Sequence, residues 1–217
     1  MNQQFLRLFA DPTPALQLKF RKSDNEVTVM RVQHRLRPHS DGTSLLALDF
    51  LLGDPRLAGF VQFYREHDGL ELCRIHDARC RGERPLIDMK PADSIAALTK
   101  RYQPGGDLAW TIDLNKSKAL YRGTNSWIAF AQVEGGPACL TMFVNGEMAG
   151  CIFYLAPQPA FNIRKPIAPS FAKLLDRIVK DLPKFLQLVR ATVAVRKVDG
   201  ENYGLVPVGY LPDSRED

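Results

Sequence analysis

The chain has 217 residues, of which 45% are hydrophobic and 24% are charged, so it can bury a sizeable core and is neither disordered nor collagen-like. No apolar run approaches the ~20 residues of a membrane-spanning helix, and we therefore expect a soluble protein without membrane contact. The first residues lack the basic and apolar regions of a cleaved signal peptide, which favours a cytoplasmic location.

The chain is mildly basic, with a formal net charge of +5 and a pI near 9.1. A basic balance favours an acidic partner or nucleic acid. The lysines and arginines are interspersed with acidic residues and never form a block of five or six, and no zinc finger, helix-turn-helix or RNP-like motif is present. This pattern argues against direct nucleic-acid binding and leaves a protein as the expected partner.

Two alternating segments near the start predict a β-hairpin. LQLKFRK, from Leu16, and VTVMRVQHRL, from Val27, alternate apolar with polar residues on either side of an SDNE turn. We assign residues 1–42 as an N-terminal extension containing this hairpin. Next, Thr43 or Ser44 can cap a short apolar helix, SLLALDFLL, that ends at Gly53.

The run DPRLAGFVQFYREHDGLEL predicts a capped amphipathic helix that leads directly into a strand. Asp54 can accept hydrogen bonds from the first free backbone N–H groups, and Pro55 fits the first helical position. Gly69 can adopt the left-handed conformation that closes the last turn, and the strand LELCRI follows. The apolar stripe of the helix is formed by Leu57, Phe60, Val61 and Tyr64.

The centre of the chain predicts an antiparallel meander. PLIDM is a second strand, and PADSIAALTKRY is a helix that begins at Pro91. A strand with Trp110 and Ile112 follows, then WIAFAQV, and finally two strands, ACLTMFV and GCIFYLA, joined by a tight turn at Asn145-Gly146.

Near the C-terminus, Ser170 can cap the amphipathic helix FAKLLDRIVKDL. Pro183 must kink this helix or begin another, KFLQLVRATVAV. The last stretch, NYGLVPVGYLPDSRED, is predicted to be extended, as a docked or flexible tail. We assign residues 191–217 as a C-terminal extension.

The elements between about Thr43 and Leu188 follow one order: helix, Tyr-x-x-x-Asp-Gly, strand, short helix, meander and closing helix. This order resembles that of the SUKH superfamily, the fold shared by a yeast cell-wall-synthesis regulator and many bacterial immunity proteins. The predicted hairpin before the first helix departs from that pattern. The positions that carry the resemblance are packing and turn residues rather than catalytic ones: Phe60, Phe63, Tyr64, Asp68, Gly69, Leu72, Ile87, Asp88, Trp127, Ile128, Asn145, Gly146 and the run Ile167 to Phe171.

The resemblance implies an α+β domain over residues 43–190, in which helices pack against an antiparallel sheet. It also implies a non-enzymatic protein-binding domain, and for a bacterial member an immunity protein that neutralises a toxin by stoichiometric binding. An intracellular regulatory or scaffold adaptor is the alternative.

A catalytic or metal-binding role would have to use the region from Cys73 to Cys80. Cys73, His76 and Cys80 have a C-x2-H-x3-C spacing that could supply three zinc ligands, or a Cys-His nucleophile pair. No second ligand pair accompanies them, and nucleophile-elbow and phosphate-binding glycine motifs are absent. We therefore predict no metal, no cofactor and no enzyme activity. Cys139 and Cys151 are expected to be small core residues.

Four arginines in one loop region form the candidate partner-binding surface. Arg74, Arg79, Arg81 and Arg84 could pair with the carboxylates of an acidic partner in bidentate geometry. The alternative is a solvated loop in which Asp77 and Glu83 neutralise the arginines locally.

Overall fold

The computed structural model describes residues 5–6, 8–9, 16–22, 25–39, 46, 48–80, 84–103, 105–108, 127–134, 137–156, 165–196 and 202–211. Within these ranges, no helix is long and apolar enough to cross a membrane. The predicted strand with Trp110 and Ile112 lies outside the described residues.

The described strands form one nine-stranded antiparallel sheet in the order β7-β6-β5-β4-β3-β2-β1-β9-β8. Four helices within the described ranges pack on this sheet, and the predicted α+β class is confirmed. The strands are β1 Leu16–Arg21, β2 Val27–Leu36, β3 Leu70–Ile75, β4 Pro85–Met89, β5 Trp127–Val133, β6 Ala138–Phe143, β7 Ile152–Leu155, β8 Val193–Arg196 and β9 Asn202–Leu211. The helices are α1 Ala58–Glu66, α2 Ala92–Tyr102, α3 Phe171–Lys180 and α4 Leu182–Leu188.

The predicted N-terminal hairpin is present and lies inside the sheet. β1 pairs with β2 on one side and with β9 on the other, so the hairpin and the extended C-terminal stretch are neighbouring strands of the same sheet. The sequence alternation places one set of side chains on the buried side, because successive residues of a strand point to opposite faces. This set, Leu18, Phe20, Met30 and Val32, is at most 1% exposed.

The two faces of the sheet are covered differently. On the face that we call inner, α1 and α3 form an aromatic cluster in which Phe60 lies 5.0 Å from Phe171 and 5.5 Å from Phe130 of β5, between ring centroids. On the opposite, outer face, α2 packs Leu98 and Tyr102 against Ala129, Cys139, Leu155 and Trp127. The helices therefore enclose β5 to β7 from both sides.

The predicted cap of the first helix is present. The Asp54 carboxylate accepts a hydrogen bond from the Arg56 N–H at 2.9 Å, and Pro55 opens a 3-10 turn, Pro55–Leu57, that continues into α1. The predicted apolar stripe is at most 5% exposed. Ser170 likewise caps α3 through the Lys173 N–H at 3.3 Å, as predicted. Asp181 caps α4, in which Pro183 occupies the first turn.

The Tyr-x-x-x-Asp-Gly motif fastens α1 and β3 to the junction between β4 and α2. The Tyr64 hydroxyl donates to the Lys90 carbonyl at 2.8 Å, and the Asp68 carboxylate accepts from the Ala92 N–H at 2.8 Å, which caps α2 from a distance of 24 residues along the chain. Gly69 has a left-handed φ of +90°, as predicted. It does not close the helix, which ends at Glu66. It starts β3 against the backbone of β4.

Two predicted elements differ in the structure. The apolar helix before Gly53 is a 3-10 turn, Asp49–Leu51, among the residues described there, and its predicted caps lie outside the described residues. Asn145 and Gly146 belong to a longer connection between β6 and β7 rather than to a two-residue turn. This connection is held because the Arg56 guanidinium donates to the Gly146 carbonyl at 2.8 Å.

The predicted helix KFLQLVRATVAV is wrong in its second half. α4 ends at Leu188, Arg190 adopts a left-handed φ of +51°, and β8 begins at Val193. The apolar spacing suited a helix, but the β-branched run Thr192, Val193 and Val195 packs better on a pleated sheet. The backbone N–H and C=O groups of β8 form hydrogen bonds with β9, in place of the bonds that they would form within a longer helix.

We predict that Gly69→Ala destabilises the protein by about 3 kcal/mol or more. An added Cβ would lie 2.3 Å from the Met89 carbonyl oxygen and 2.8 Å from that of Lys90, and the left-handed backbone would be strained as well. Gly105→Ala is the matched control: its φ is +89°, but nothing lies within 4 Å of its added Cβ. The control should lose only about 1 kcal/mol in urea unfolding. Equal losses would show that the approach of β4 is unimportant.

Candidate functional site

The structure describes three of the four predicted partner-binding arginines, and two of these three are paired with carboxylates. Arg74 lies on β3 and pairs with Glu71 at 3.0 Å. Arg79, in the connection after β3, binds both carboxylate oxygens of Asp77 at 2.9 and 2.6 Å, and this pairing lowers the pKa of Asp77. Arg84 is exposed before β4, and Arg81 lies outside the described residues. Binding by these arginines stays a prediction, and two of them already have carboxylate partners.

The side chains of the C-x2-H-x3-C spacing contact different neighbours. Cys73 is fully buried, the His76 imidazole bonds to Gln33 at 3.1 Å, and the Cys80 sulfur lies 3.9 Å from that of Met30. Burial raises the pKa of the Cys73 thiol far above its usual range and that of Cys80 to about 11. Both thiols are therefore held in the protonated, weakly nucleophilic form. No group of three His, Cys, Asp or Glu in the described part of the chain could hold a metal ion.

The other two cysteines differ in burial. Cys139 is buried in the outer cluster, as expected of a small core residue. Cys151 is only partly buried, and its thiol lies 3.7 Å from the Pro169 carbonyl oxygen.

One row of cross-strand neighbours runs along the outer face, and the chemical type of its side chains changes from strand to strand. It passes from Arg35 on β2 through Glu71, Asp88 and Gln132 to Cys139 and Leu155 on β6 and β7. The last two residues lie beneath α2. The outer face is thus apolar under the helix, ionic over β3 and β4, and basic at β2.

The ionic part of the row is a network centred on Arg37. Its guanidinium binds Glu71 at 3.0 Å and Asp88 at 2.7 Å, and it also donates to the carbonyl of Met89. Arg74 and Lys90 bind the remaining oxygens of the two carboxylates. The Glu71 and Asp88 side chains are only 11% and 20% exposed, so each needs these partners. The network is saturated, and we assign it a structural role.

The basic part of the outer face is uncovered. We call it the open sheet face, and it consists of outward residues of β1, β2 and β9: Gln17, Lys19, Arg21, Val27, Val29, Arg31, Gln33, Arg35, Val206, Gly209 and Leu211. Val27, Val29 and Val206 are 47%, 44% and 41% exposed, which is unusual for three neighbouring aliphatic side chains. The strand register sets Arg21 between Val27 and Val206, and Lys19 opposite Val29.

Four cations of the open sheet face have no acidic partner among the described residues. Among the described residues, no hydrogen bond or ion pair engages the side chains of Lys19, Arg21, Arg31 and Arg35, whereas the nearby Glu71 and Asp88 are already bound within the network. Unpaired cations on a rigid strand surface create a positive potential and keep their donors available. The face can therefore bind a negatively charged partner without first breaking ion pairs within the described part of the chain.

A buried histidine stabilises the bulge that joins the open sheet face to β3. β3 carries an extra residue opposite β2, where Cys73 has a left-handed φ of +55°. The Cys73 N–H donates to Nδ1 of His34 at 3.1 Å, so the imidazole is neutral, with its proton on Nε2. Nε2 is inaccessible and has no partner among the described residues. Burial lowers the pKa of His34 to about 4.

Comparisons with family models, with curated proteins and with solved structures find no match to this chain. The resemblance to the SUKH superfamily therefore depends only on the residues quoted above. In the structure the motif residues Phe60, Tyr64, Asp68 and Gly69 pack and cap as such residues can, and none of them lies on the open sheet face.

The loop-centred prediction missed the open sheet face, although a signal for it was present. Every second residue of β2 from Val27 gives Val, Val, Arg, Gln and Arg, and the outward residues of β1 are Gln17, Lys19 and Arg21. A period of two with valine among cations indicates a strand face that is only partly solvated. The sequence could not show that β9 would extend this face with Val206.

We predict that Arg37→Met destabilises the protein by about 3 kcal/mol at neutral pH, because it leaves two poorly exposed carboxylates without their shared cation. Arg35→Met, at an exposed arginine near the end of β2, is the control and should change stability by less than about 0.5 kcal/mol. Urea unfolding at pH 7 measures both. Similar losses in the two variants would contradict a structural role for the network.

We predict that His34 makes the protein less stable in mild acid. The unfolded chain binds a proton at His34 near pH 6.5, whereas the folded protein does so only near pH 4, so stability falls as pH drops through this window. The loss from this group between pH 7 and pH 5 is about 2 kcal/mol. His34→Asn keeps an acceptor for the Cys73 N–H and does not titrate. Its unfolding free energy should therefore fall by about 2 kcal/mol less over the same pH range, and equal losses would contradict the prediction.

Proposed function

We propose that this protein is a non-catalytic protein-binding domain that neutralises a bacterial toxin by stoichiometric binding. The observation that carries the proposal is the open sheet face, which displays exposed valines and unpaired cations on adjacent strands. The resemblance to the SUKH superfamily supports the toxin as the class of partner. It favours this role over that of a regulatory adaptor, which could use the same face.

Rigidity of the open sheet face supports a binding role. β1 and β2 are hydrogen-bonded on both sides, by β9 and β3, and their inward side chains are anchored in the core. Side chains held on such strands lose little freedom when a partner binds, which lowers the entropic cost of association.

The size of the face suits a protein partner. Three strands about 4.8 Å apart and the length of β2 give roughly 480 Å². A partner that covered this area would bury about 960 Å² in total, at the small end of specific protein interfaces. The cations would speed encounter with an acidic surface, and desolvated valines at the centre would supply affinity. Neutralisation then needs only that the bound domain covers the toxin's active site or exit groove.

A non-catalytic role is supported by the state of the candidate nucleophiles. The thiols of Cys73 and Cys139 are buried, with pKa values raised by burial. The carboxylates of Glu71 and Asp88 are bound by arginine and lysine rather than turned toward a cleft.

The test uses the product of a toxin gene adjacent to the gene for this protein. Purified protein should abolish the toxin's activity linearly, reaching zero at one equivalent, and should form a 1:1 complex by calorimetry. Deleting the gene should make cells sensitive to that toxin, and expression from a plasmid should restore growth. If deletion causes no sensitivity and no neighbouring toxin is inhibited, the toxin role is wrong and the adaptor role replaces it.

A further inference from the structure

We infer that the open sheet face binds an acidic protein surface, with carboxylates along a cationic stripe and aliphatic side chains at one end of it. This inference deepens the proposed function and rests on it for the choice of a protein as the partner. Its evidence is the arrangement of four cations and three valines across β9, β1 and β2.

The cations form a stripe that crosses the sheet obliquely. We call each step of two residues along a strand, on one face, a rung. Arg21 and Lys19 are one rung apart on β1, and Gln17 lies one rung beyond Lys19. Arg31 lies on β2 opposite Gln17. Arg35 extends the stripe two rungs further along β2. Successive rungs on one face are about 7 Å apart, so the stripe spans roughly 27 Å. This length equals about five turns of an α-helix, along which acidic residues four apart lie about 6 Å from one another.

The stripe lacks intramolecular compensation within the described residues. Where the outer row continues from Arg35 to Glu71 and Asp88, both carboxylates are bound by Arg37, Arg74 and Lys90. Because these carboxylates are already bound, they do not neutralise the stripe. Among the described residues the four cations of the stripe therefore keep their positive charge without a partner. An acidic partner would supply the carboxylates that the described residues do not supply.

The two ends of the stripe differ in chemistry. Arg21 lies between Val27 and Val206, and Lys19 lies opposite Val29, so aliphatic surface and the alkyl stems of both cations form one continuous apolar area. Leu211 of β9 adds a half-buried aliphatic side chain beside Gln17, at the middle of the stripe. Arg31 and Arg35, toward the other end, have Gln33 between them. A partner must therefore present apolar residues at one end of its acidic row, which fixes its direction on the sheet.

The composition of the face favours protein over nucleic acid or membrane. Sheets that bind single-stranded nucleic acid stack bases on aromatic side chains, and the outward residues of the open sheet face include no aromatic among those described. Membrane surfaces are bound by projecting aromatic or long apolar residues that insert among lipids. Short, β-branched valines instead suit a closely packed protein contact.

The experiment measures binding of three probes to the full chain. The first is a synthetic 18-residue helical peptide with glutamates on one face and valines at one end of that face, and a scrambled peptide of the same composition is its control. The others are a 20-nucleotide single-stranded RNA and vesicles of phosphatidylserine with phosphatidylcholine. Each probe is titrated at 50 and 150 mM salt, because a charge-dependent complex weakens as salt rises.

Three variants locate the binding face. Arg21→Glu with Arg31→Glu reverses two cations of the stripe, and Arg177→Glu with Lys180→Glu makes the same change of charge on the exposed side of α3. Val27→Thr with Val29→Thr keeps the β-branched shape and replaces apolar surface by polar surface. All substituted side chains are exposed or outward-facing, so each variant should keep the melting temperature of the parent within about 2 °C.

The expected result is binding of the acidic peptide at least tenfold tighter than of the scrambled peptide. The stripe reversal should weaken it at least tenfold, the valine substitutions about threefold, and the α3 reversal less than twofold. The inference is overturned if both charge reversals weaken the peptide equally, or if the acidic peptide binds no better than its scrambled control. It is also overturned if RNA or vesicles bind more tightly than the peptide and lose binding through the stripe reversal.

The toxin assay separates this inference from the proposed function. If the protein neutralises a neighbouring toxin and the stripe reversal neutralises it equally well, the function stands and the inference about the open sheet face fails. If no toxin is neutralised but the peptide binds as expected, the face has the inferred chemistry and the toxin role fails.

Discussion

The architecture depends on the fastening of the β4–α2 junction by three residues of one short motif. Tyr64 reaches it from α1, Asp68 caps α2, and Gly69 brings β3 against the backbone of β4. α1 lies on the inner face and α2 packs on the outer face, so these contacts fix how the chain passes from one side of the sheet to the other. The Lys90 N–H also donates to the Phe130 carbonyl at 2.9 Å, which ties the same point to β5. The hydrogen bonds of Tyr64, Asp68 and the Lys90 N–H each satisfy a backbone group that would otherwise be costly to bury.

The division of the outer face into three zones follows from where α2 ends. α2 covers β5 to β7, and buried apolar side chains fill the contact. Beyond the helix the same cross-strand row carries the carboxylates of Glu71 on β3 and Asp88 on β4. These carboxylates are largely buried, so each must be paired with a cation. At β2, β1 and β9 the face is open, and stability comes from the inward side chains alone. A single pleated row thus supports packing, ion pairing and, as we propose, recognition, because the inner face supplies the core along its whole length.

Local sequence signals predicted the elements that local chemistry controls. Alternation revealed the hairpin, and Asp54, Pro55 and Ser170 marked helix starts correctly. The signals failed where distant residues decide. Arg37 meets carboxylates 34 and 51 residues away, a network that no spacing rule predicts. The apolar pattern after Pro183 suited a helix as well as a strand, and pairing with β9 decided between them. The open sheet face could be read from alternate residues of β2, but its exposure depends on how far α2 extends.

The position of β9 gives the chain an unusual order of assembly. Its first half pairs with β8, and its second half pairs with β1, so that Leu211 lies opposite Gln17. During synthesis β1 therefore remains an edge strand until β9 has left the ribosome, with one row of backbone N–H and C=O groups unpaired. Contacts between such distant segments form late, since the loop they close is long. The nascent chain must keep β1 from pairing with other chains for that time, and the cations at Lys19 and Arg21 oppose such pairing by repulsion between copies.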